Sequence, residues 1–314
     1  MRRRMKALVT GGAGFIGSHL VDALVERGDV VEVVDDLSTG RRENLASALD
    51  RGVRLHEADI RDGERLLALV AAAAPDVVFH LAAQIDVRVS VADPPLDAAV
   101  NVGGTINVLE AARAAGVSRV INSSTGGAIY GEADEVPTGE QTRPSPMSPY
   151  GQGKHAAEGY CGLYRRLHGV RTISLRYANV YGPRQDPHGE GGVIAIFCGK
   201  LLDGGQPRVF GNGAQTRDYV YVIDVVAANL AAAESEAEGS FNVGTGVETS
   251  LLELLALLRE LGGGRPFEPE FAAERPGELQ RSCVDPGRAA EVLGWRSRVD
   301  LREGLQLTLA RLRS

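Results

Sequence analysis

The sequence predicts an α/β protein: a doubly wound, mostly parallel sheet followed by a smaller C-terminal α/β domain. Three observations carry that reading. Short β-branched runs alternate with helix-period segments, a glycine turn joins the first run to the first helix, and the alternation loosens after about Tyr181.

The expected strands are Lys6–Thr10, Val30–Val34, Val53–Glu57, Val77–His80, Arg119–Ser123 and Thr172–Arg176. Apolar residues at helical spacing lie between them, in Ile16–Arg27, Thr105–Ala115 and Gln152–Leu167. Strand–helix alternation of this kind closes through right-handed crossovers, so helices cover both faces of a parallel sheet. Beyond Tyr181, Gly and Pro gather in Gly182–Gly192, Gly204–Gly213 and Gly262–Pro269, which read as loops over a cleft. Leu251–Leu261 reads as a helix whose leucines pack in a core.

At 314 residues and 44% hydrophobic content the chain can bury a substantial core. A net charge of -7 argues against general binding to nucleic acid or acidic membrane. Low aromatic content, 5%, argues against a base-stacking platform. Cys161, Cys198 and Cys283 are scattered without metal-ligand spacing, so no metal site is expected and a disulfide-free cytoplasmic protein is. Met1–Met5 is basic but runs straight into the first strand, with no apolar signal core, and no membrane-length apolar stretch follows.

The first strand enters Gly11-Gly12-Ala13-Gly14-Phe15-Ile16-Gly17. Gly12, Gly14 and Gly17 fit G-x-G-x-x-G, and Gly11, Gly14 and Gly17 fit its G-x-x-G-x-x-G variant. Missing β-carbons let backbone N–H groups approach a pyrophosphate at a helix N-terminus, the signature of a Rossmann dinucleotide site. Asp35 closes the second strand about 20 residues on, where a carboxylate accepts from the adenosine ribose hydroxyls and repels a 2′-phosphate. NAD is therefore expected over NADP. Asp36 is a solvated neighbour or a second contact. Asp59 and Ile60 follow the third strand, where they either meet the adenine or Asp59 caps the next helix, starting at Arg61.

Tyr150 and Lys154 stand four residues apart at the start of a helix, hence on one face. A free phenol titrates near about 10, so it serves as a base at neutral pH only with help, and a nearby ammonium supplies it. The strand end Ser123-Ser124-Thr125 offers a third hydroxyl. Thr125 is the first choice for the hydrogen bond to substrate and Ser124 the second, with Ser123 supporting the cofactor or backbone.

The segments GGAGFIG, VVDDLSTG, HLAAQ, NVGGTINVLEAA, SSTGGAIYG, SPYGQGK, LRYANVYGP and RDYVYVIDV together resemble the UDP-galactose (UDP-glucose) 4-epimerase family of the extended short-chain dehydrogenase/reductase superfamily. The resemblance covers nearly the whole chain. It implies an NAD-binding Rossmann domain over 1–180, to which some later segments return, and a nucleotide-sugar-binding domain over 181–314. It also implies a homodimer formed by helices. Cofactor contacts carried over onto matching positions are Ala82, Ala83, Gln84, Asn101, Tyr150 and Lys154, with Tyr177 beside the nicotinamide. Substrate contacts are Ser124, Thr125, Asn179, Arg217, Arg275 and Glu278; the two arginines are expected to clamp the diphosphate and Glu278 to hold the ribose.

Three departures bear on these roles. Many relatives have Lys where Gln84 stands. Gly126-Gly127 makes the segment one residue longer than the common Ser-Ser-Ser form. Related 4,6-dehydratases carry Asp-Glu after the Thr, and glycines here remove the acid pair that water elimination needs. Ser282 falls where hexose-specific epimerases carry a bulky Tyr, so UDP-N-acetylglucosamine and its galacto epimer are expected beside UDP-glucose and UDP-galactose. The alternatives are a UDP-glucuronate epimerase or decarboxylase, for which Arg184 is the nearest cation, and a non-catalytic NAD-binding sensor or scaffold.

Overall fold

A computed structural model describes residues 4–187, 192–263, 267–274 and 279–313. Six strands arise in the first part of the chain: β1 (Lys6–Thr10), β2 (Val30–Asp35), β3 (Arg54–Glu57), β4 (Val77–His80), β5 (Arg119–Thr125) and β6 (Arg171–Tyr177). A seventh, Gly239–Val243, returns late and adds to the edge beside β6. The spatial order is Gly239–Val243, β6, β5, β4, β1, β2, β3, with every pair parallel. The direction of strand addition reverses between β1 and β4. In open α/β sheets that reversal opens the crevice where ligands bind.

Alternation along each strand supplies two buried faces. Val9, Val33, Phe79, Ile121 and Phe241 pack on one side, against helix Phe15–Glu26 and helix Val222–Glu234. Leu8, Val34, Val78 and Val120 face the other side, under helices Gly63–Ala73, Thr105–Ala114 and Pro149–His168. Each of these side chains, fully withdrawn from water, contributes about 1.5–3 kcal/mol. A third cluster joins Tyr181, Phe197, Leu254, Leu258 and Leu305 from the helices Val193–Asp203, Leu251–Leu261 and Leu301–Leu312. The leucine-rich helix has the bounds its periodicity predicts, opened by a Ser250–Glu253 capping box.

Three strands run slightly beyond their sequence limits, β2 to Asp35, β5 to Thr125 and β6 from Arg171 to Tyr177, whereas β3 begins one residue late, at Arg54. Parallel pairing in the sheet centre extends them: Thr125 pairs with Tyr177 at the very edge. Within the loops expected after Tyr181, Arg208–Phe210 forms a short strand. Parts of Gly182–Gly192 and Gly262–Pro269 lie outside the described residues.

Candidate active site

Gly11 takes φ +70°, and its N–H donates to Val34 O at 2.8 Å. A Cβ there would stand 2.6 Å from Ala82 N, and one at Gly17 only 2.1 Å from Gly11 O. The turn is thus closed against the β4 loop on one side and the following helix on the other. Gly14 is the N-cap of helix Phe15–Glu26, whose first turn has no side-chain cap and no acid. Phe15, Ile16 and Gly17 start that helix, so its amide end and positive dipole are presented to an anion.

Asp35 is buried at the end of β2. Its carboxylate accepts from Ala13 N and Leu37 N, both at 2.9 Å, which binds the glycine turn to the next strand end. Burial pushes its carboxyl above the usual range, and the two backbone donors pull it back. Asp36 instead closes a local exposed turn, accepting from the backbone and hydroxyl of Ser38. Asp59 pairs with Arg61, which holds its carboxyl below the usual range. The helix cap lies elsewhere than the sequence suggested: the helix begins at Gly63, and Asp62 caps it by accepting from Arg65 N. Ile60 is buried, its side chain filling the space that Gly104 leaves.

After β4, Ala82 N donates to Thr10 Oγ1 at 3.3 Å, and Ala83 is half-buried beside it. Gln84 and Asn101 form a reciprocal pair: Gln84 N donates to Asn101 Oδ1 at 3.0 Å, and Asn101 Nδ2 donates to Gln84 O at 2.9 Å. Asn101 lies in a π-helical turn, Ala99–Gly104, a distortion common at functional sites. Both amides also donate to Asp97 Oδ1, at 3.0 and 2.9 Å. Asp97 is 1% exposed, and a Cβ on Gly153 would touch it at 2.9 Å. Sequence reading missed this carboxylate, although its i,i+4 spacing from Asn101 on one helix was a usable signal.

Ser148 caps the helix Pro149–His168, placing Tyr150 in its first turn and Lys154 one turn on. Burial pushes the Tyr150 phenol up to about 12, with Asp97 adding to the rise and the neighbouring Thr125 easing its ionisation. Lys154 Nζ donates to Ser123 O at 3.0 Å. Burial lowers the Lys154 ammonium to about 8, with Asp97 opposing. The alternatives at the strand end separate by pleat. Thr125 meets the phenol, whereas Ser124 points to the opposite face and donates to Glu158 Oε1 at 2.5 Å. The Ser124 hydroxyl, expected at the substrate, is engaged with Glu158 beneath the site.

Tyr177 is anchored by Asn229, whose Oδ1 accepts from the phenol at 3.1 Å and whose Nδ2 donates back at 2.9 Å. Across the cleft Asn179 Oδ1 is buried without a partner among the described residues. The point where a Gly127 Cβ would stand lies 3.5 Å from Asn179 Oδ1, 3.9 Å from Ser282 Oγ and 4.0 Å from Thr125 Oγ1. Three polar side chains thus converge on the face that Gly127 leaves bare. Arg217 and Ser282 are register partners on adjoining short strands, Thr216–Arg217 and Arg281–Ser282. Arg275 and Glu278 lie outside the described residues.

A second missed residue, Asp218, ties this wall together. Its carboxylate accepts from Thr245 N, Thr245 Oγ1 and Gly246 N at 2.9, 2.6 and 3.2 Å. Its backbone accepts from Asn179 N and donates to Ser282 O, each at 2.9 Å. One buried acid therefore fixes the segments that carry Asn179, Arg217 and Ser282.

A glycine cradle at the switch of a parallel sheet, with a phenol, an ammonium and a hydroxyl converging beside it, defines a dinucleotide-dependent enzyme of the short-chain dehydrogenase type. The model of the NAD dependent epimerase/dehydratase family matches residues 7–244. A UDP-glucose 4-epimerase of Mycolicibacterium smegmatis is 51% identical over 307 residues, covering 97% of each chain. The structure of a UDP-glucose 4-epimerase from Thermotoga maritima with UDP-glucose superposes with a TM-score of 0.95 at 47% identity, covering 98% of this chain and 99% of that one. The UDP-glucose 4-epimerase of Thermus thermophilus in complex with NAD gives 0.92 at 45% identity, covering 99% of each chain. The chain belongs to the NAD dependent epimerase/dehydratase family, and NAD is its cofactor.

Proposed function

We propose that this site inverts C4 of a UDP-sugar, UDP-glucose and UDP-galactose in first place, through a transient 4-keto sugar. The carrying observation is the convergence of the Tyr150 phenol with Thr125, with Lys154 held on Ser123 O beside them. The glycine turn fits a dinucleotide, because Gly11 and Gly17 let it close tightly beside the uncapped N-terminus of the helix Phe15–Glu26. Gly11, Gly14, Phe15, Ile16 and Gly17 would hold the pyrophosphate, Asp35 the ribose, and Asp36, Asp59 and Ile60 the adenosine side. Ala82, Ala83, Gln84, Asn101, Ser123 and Tyr177 would line the nicotinamide end.

Bound NAD supplies the hydride acceptor and donor at sugar C4 and, when oxidised, a positive charge that favours phenolate. Tyr150 removes the proton from the sugar 4-hydroxyl while Thr125 shares the hydrogen bond. Lys154 stabilises the phenolate electrostatically and orients the cofactor ribose. Asn179, whose carbonyl oxygen lacks a partner among the described residues, and Arg217 hold the nucleotide side, with Arg275 and Glu278 in the same role. The 4-keto sugar turns about its diphosphate link to present its other face, and Tyr150 returns the proton with inversion. Ser282 and Gly127 leave room for acetamido sugars, a second substrate class. A uronate reading is weaker: Arg184 donates to Asp22 at 2.7 Å and is already neutralised.

The test is incubation with UDP-glucose, UDP-N-acetylglucosamine and UDP-glucuronate, products identified by NMR, beside Tyr150→Phe. Stereoisomers interconverting as fast in that variant would sink the proposal.

The division into an NAD-binding part, 1–180, and a nucleotide-sugar-binding part, 181–314, belongs to the same reading, with Gly239–Val243 among the segments that return. So does a homodimer through helices Thr105–Ala114 and Pro149–His168, where Leu167 is 66% exposed; light scattering in solution tests it. Among the described residues no helix is long and apolar enough to cross a membrane. Three free, buried cysteines support a cytoplasmic setting.

A further inference from the structure

Behind the Thr125–Tyr150 pair lies a second polar layer that faces away from the cleft. Glu158 stands one turn after Lys154 on the same helix. It accepts from Ser124 Oγ at 2.5 Å, from Arg176 Nε and Nη2 at 2.9 and 2.7 Å, and from Ser240 Oγ at 3.0 Å. Arg176 Nη1 donates to the Tyr130 phenol at 2.8 Å, and that phenol donates to Asn242 Oδ1 at 2.8 Å. Asn242 Nδ2 continues to Thr138 O and Asp285 O, at 2.9 and 3.1 Å. Both side chains of the Glu158–Arg176 ion pair are only 7% exposed.

The sequence positions of these partners matter more than their number. Ser124 immediately precedes Thr125, Arg176 immediately precedes Tyr177, and Ser124 and Arg176 are register partners on β5 and β6. The helix needs such a tether. It contains four glycines, at 151, 153, 159 and 162, each weakening a helix by about 1 kcal/mol relative to Ala. Its buried face is Gly151, Gly153, Lys154, Ala157, Cys161 and Tyr164, so its first turns have little apolar grip on the strands. A buried ion pair contributes little net stability, because desolvation offsets attraction. What it does provide is fixed distance and angle, through charge-assisted and bidentate hydrogen bonds.

We propose that Glu158 is a positioning residue, a clamp that locks the helix carrying Tyr150 and Lys154 to the strand residues just before Thr125 and Tyr177 and thereby sets the phenol–hydroxyl separation. The proposal rests on the catalytic reading of Tyr150 and Thr125.

The NAD-loaded, full-length protein tests it with Glu158→Gln, Ser124→Ala and the double variant Glu158→Leu/Arg176→Met. Each is compared for bound NAD, thermal midpoint, and kcat and KM on UDP-glucose. Glu158→Gln, which unpairs Arg176, is expected to lower kcat about tenfold or more with KM within about threefold, since misplacement of reacting groups by a fraction of an ångström acts on the transition state. Ser124→Ala removes one strut without touching charge, and a kcat loss of about threefold is expected. The double variant removes the buried charges together, so its thermal midpoint is expected above that of Glu158→Gln while kcat stays low. A stable double variant with unaltered kcat overturns the clamp. So does a Glu158→Gln protein whose activity falls only in proportion to its folded, NAD-loaded fraction, a readout that survives if the double variant does not fold. Tyr150→Phe run alongside separates the two readings. If it is inactive while the Glu158 variants turn over normally, only the clamp fails; if it is fully active, the catalytic reading fails with it.

Discussion

His80 should make the cofactor end of the sheet sensitive to acid. The imidazole is 2% exposed at the end of β4, with Thr10 Oγ1 2.8 Å from Nδ1 and Thr105 Oγ1 3.0 Å from Nε2. Thr105 donates its single proton to Asn101 O at 2.7 Å, so it must accept from Nε2–H. Nδ1 is then bare and accepts from Thr10, whose oxygen accepts in turn from Ala82 N at 3.3 Å. The chain of hydrogen bonds assigns the tautomer and links Ala82 to Asn101 through a neutral ring. Burial, reinforced by the Lys154 charge, lowers this imidazole from 6.5 to about 3. Since the unfolded chain binds the proton more readily, the stabilisation is complete above pH 6.5 and is lost progressively toward about pH 3. Each pH unit within that window is worth about 1.4 kcal/mol, so roughly 2 kcal/mol is lost by pH 5. His80→Gln keeps a donor for Thr105 but does not titrate. Denaturant unfolding of both proteins at pH 7.5 and 5.0 gives the comparison. The stability advantage of the unmodified protein should shrink by about 2 kcal/mol between those conditions. An advantage that does not change with pH, or an NMR titration showing His80 protonated at pH 6, refutes the reasoning.

Three further outcomes follow from particular contacts. Gly17→Ala sets a methyl 2.1 Å from Gly11 O, and the displaced turn should destabilise by about 1–3 kcal/mol with loss of co-purifying NAD, read by releasing the cofactor on denaturation. Asp218→Asn exchanges a carboxylate that accepts from Thr245, Gly246, Cys283 and Val284 for an amide with fewer lone pairs to offer; KM for UDP-glucose should rise about tenfold with kcat within about threefold, and steady-state kinetics showing the reverse split refutes that role. Ser282→Tyr should selectively suppress turnover of UDP-N-acetylglucosamine over UDP-glucose, because the phenol would crowd the face that Gly127 leaves bare, beside Asn179 and Thr125; equal loss on both sugars counts against a specificity role.

The sheet and the cofactor cradle were legible because both are written in local sequence. β-Branched runs at strand length, helix-period segments between them and glycines at fixed offsets act within a few residues, and Lys6–Thr10, Val77–His80 and Leu251–Leu261 fold with the bounds their patterns predict. Tyr150 and Lys154 were legible for the same reason, since four residues on a helix define one face. The choice between Ser124 and Thr125 was not. Alternation puts neighbouring strand residues on opposite faces without saying which face is the cleft, and the packing of a distant helix decides that. Glu158 and Asp218 stayed hidden because an isolated acid carries no local signature; each acquires its role from partners on other elements, as Glu158 does from Ser124, Arg176 and Ser240. The same holds for Gly239–Val243, an ordinary run that only the open edge of β6 turns into the seventh strand. Sequence determined which elements form and where the cofactor turn lies, while the tertiary structure decided which polar groups meet, because burial creates their partners only when distant segments close together.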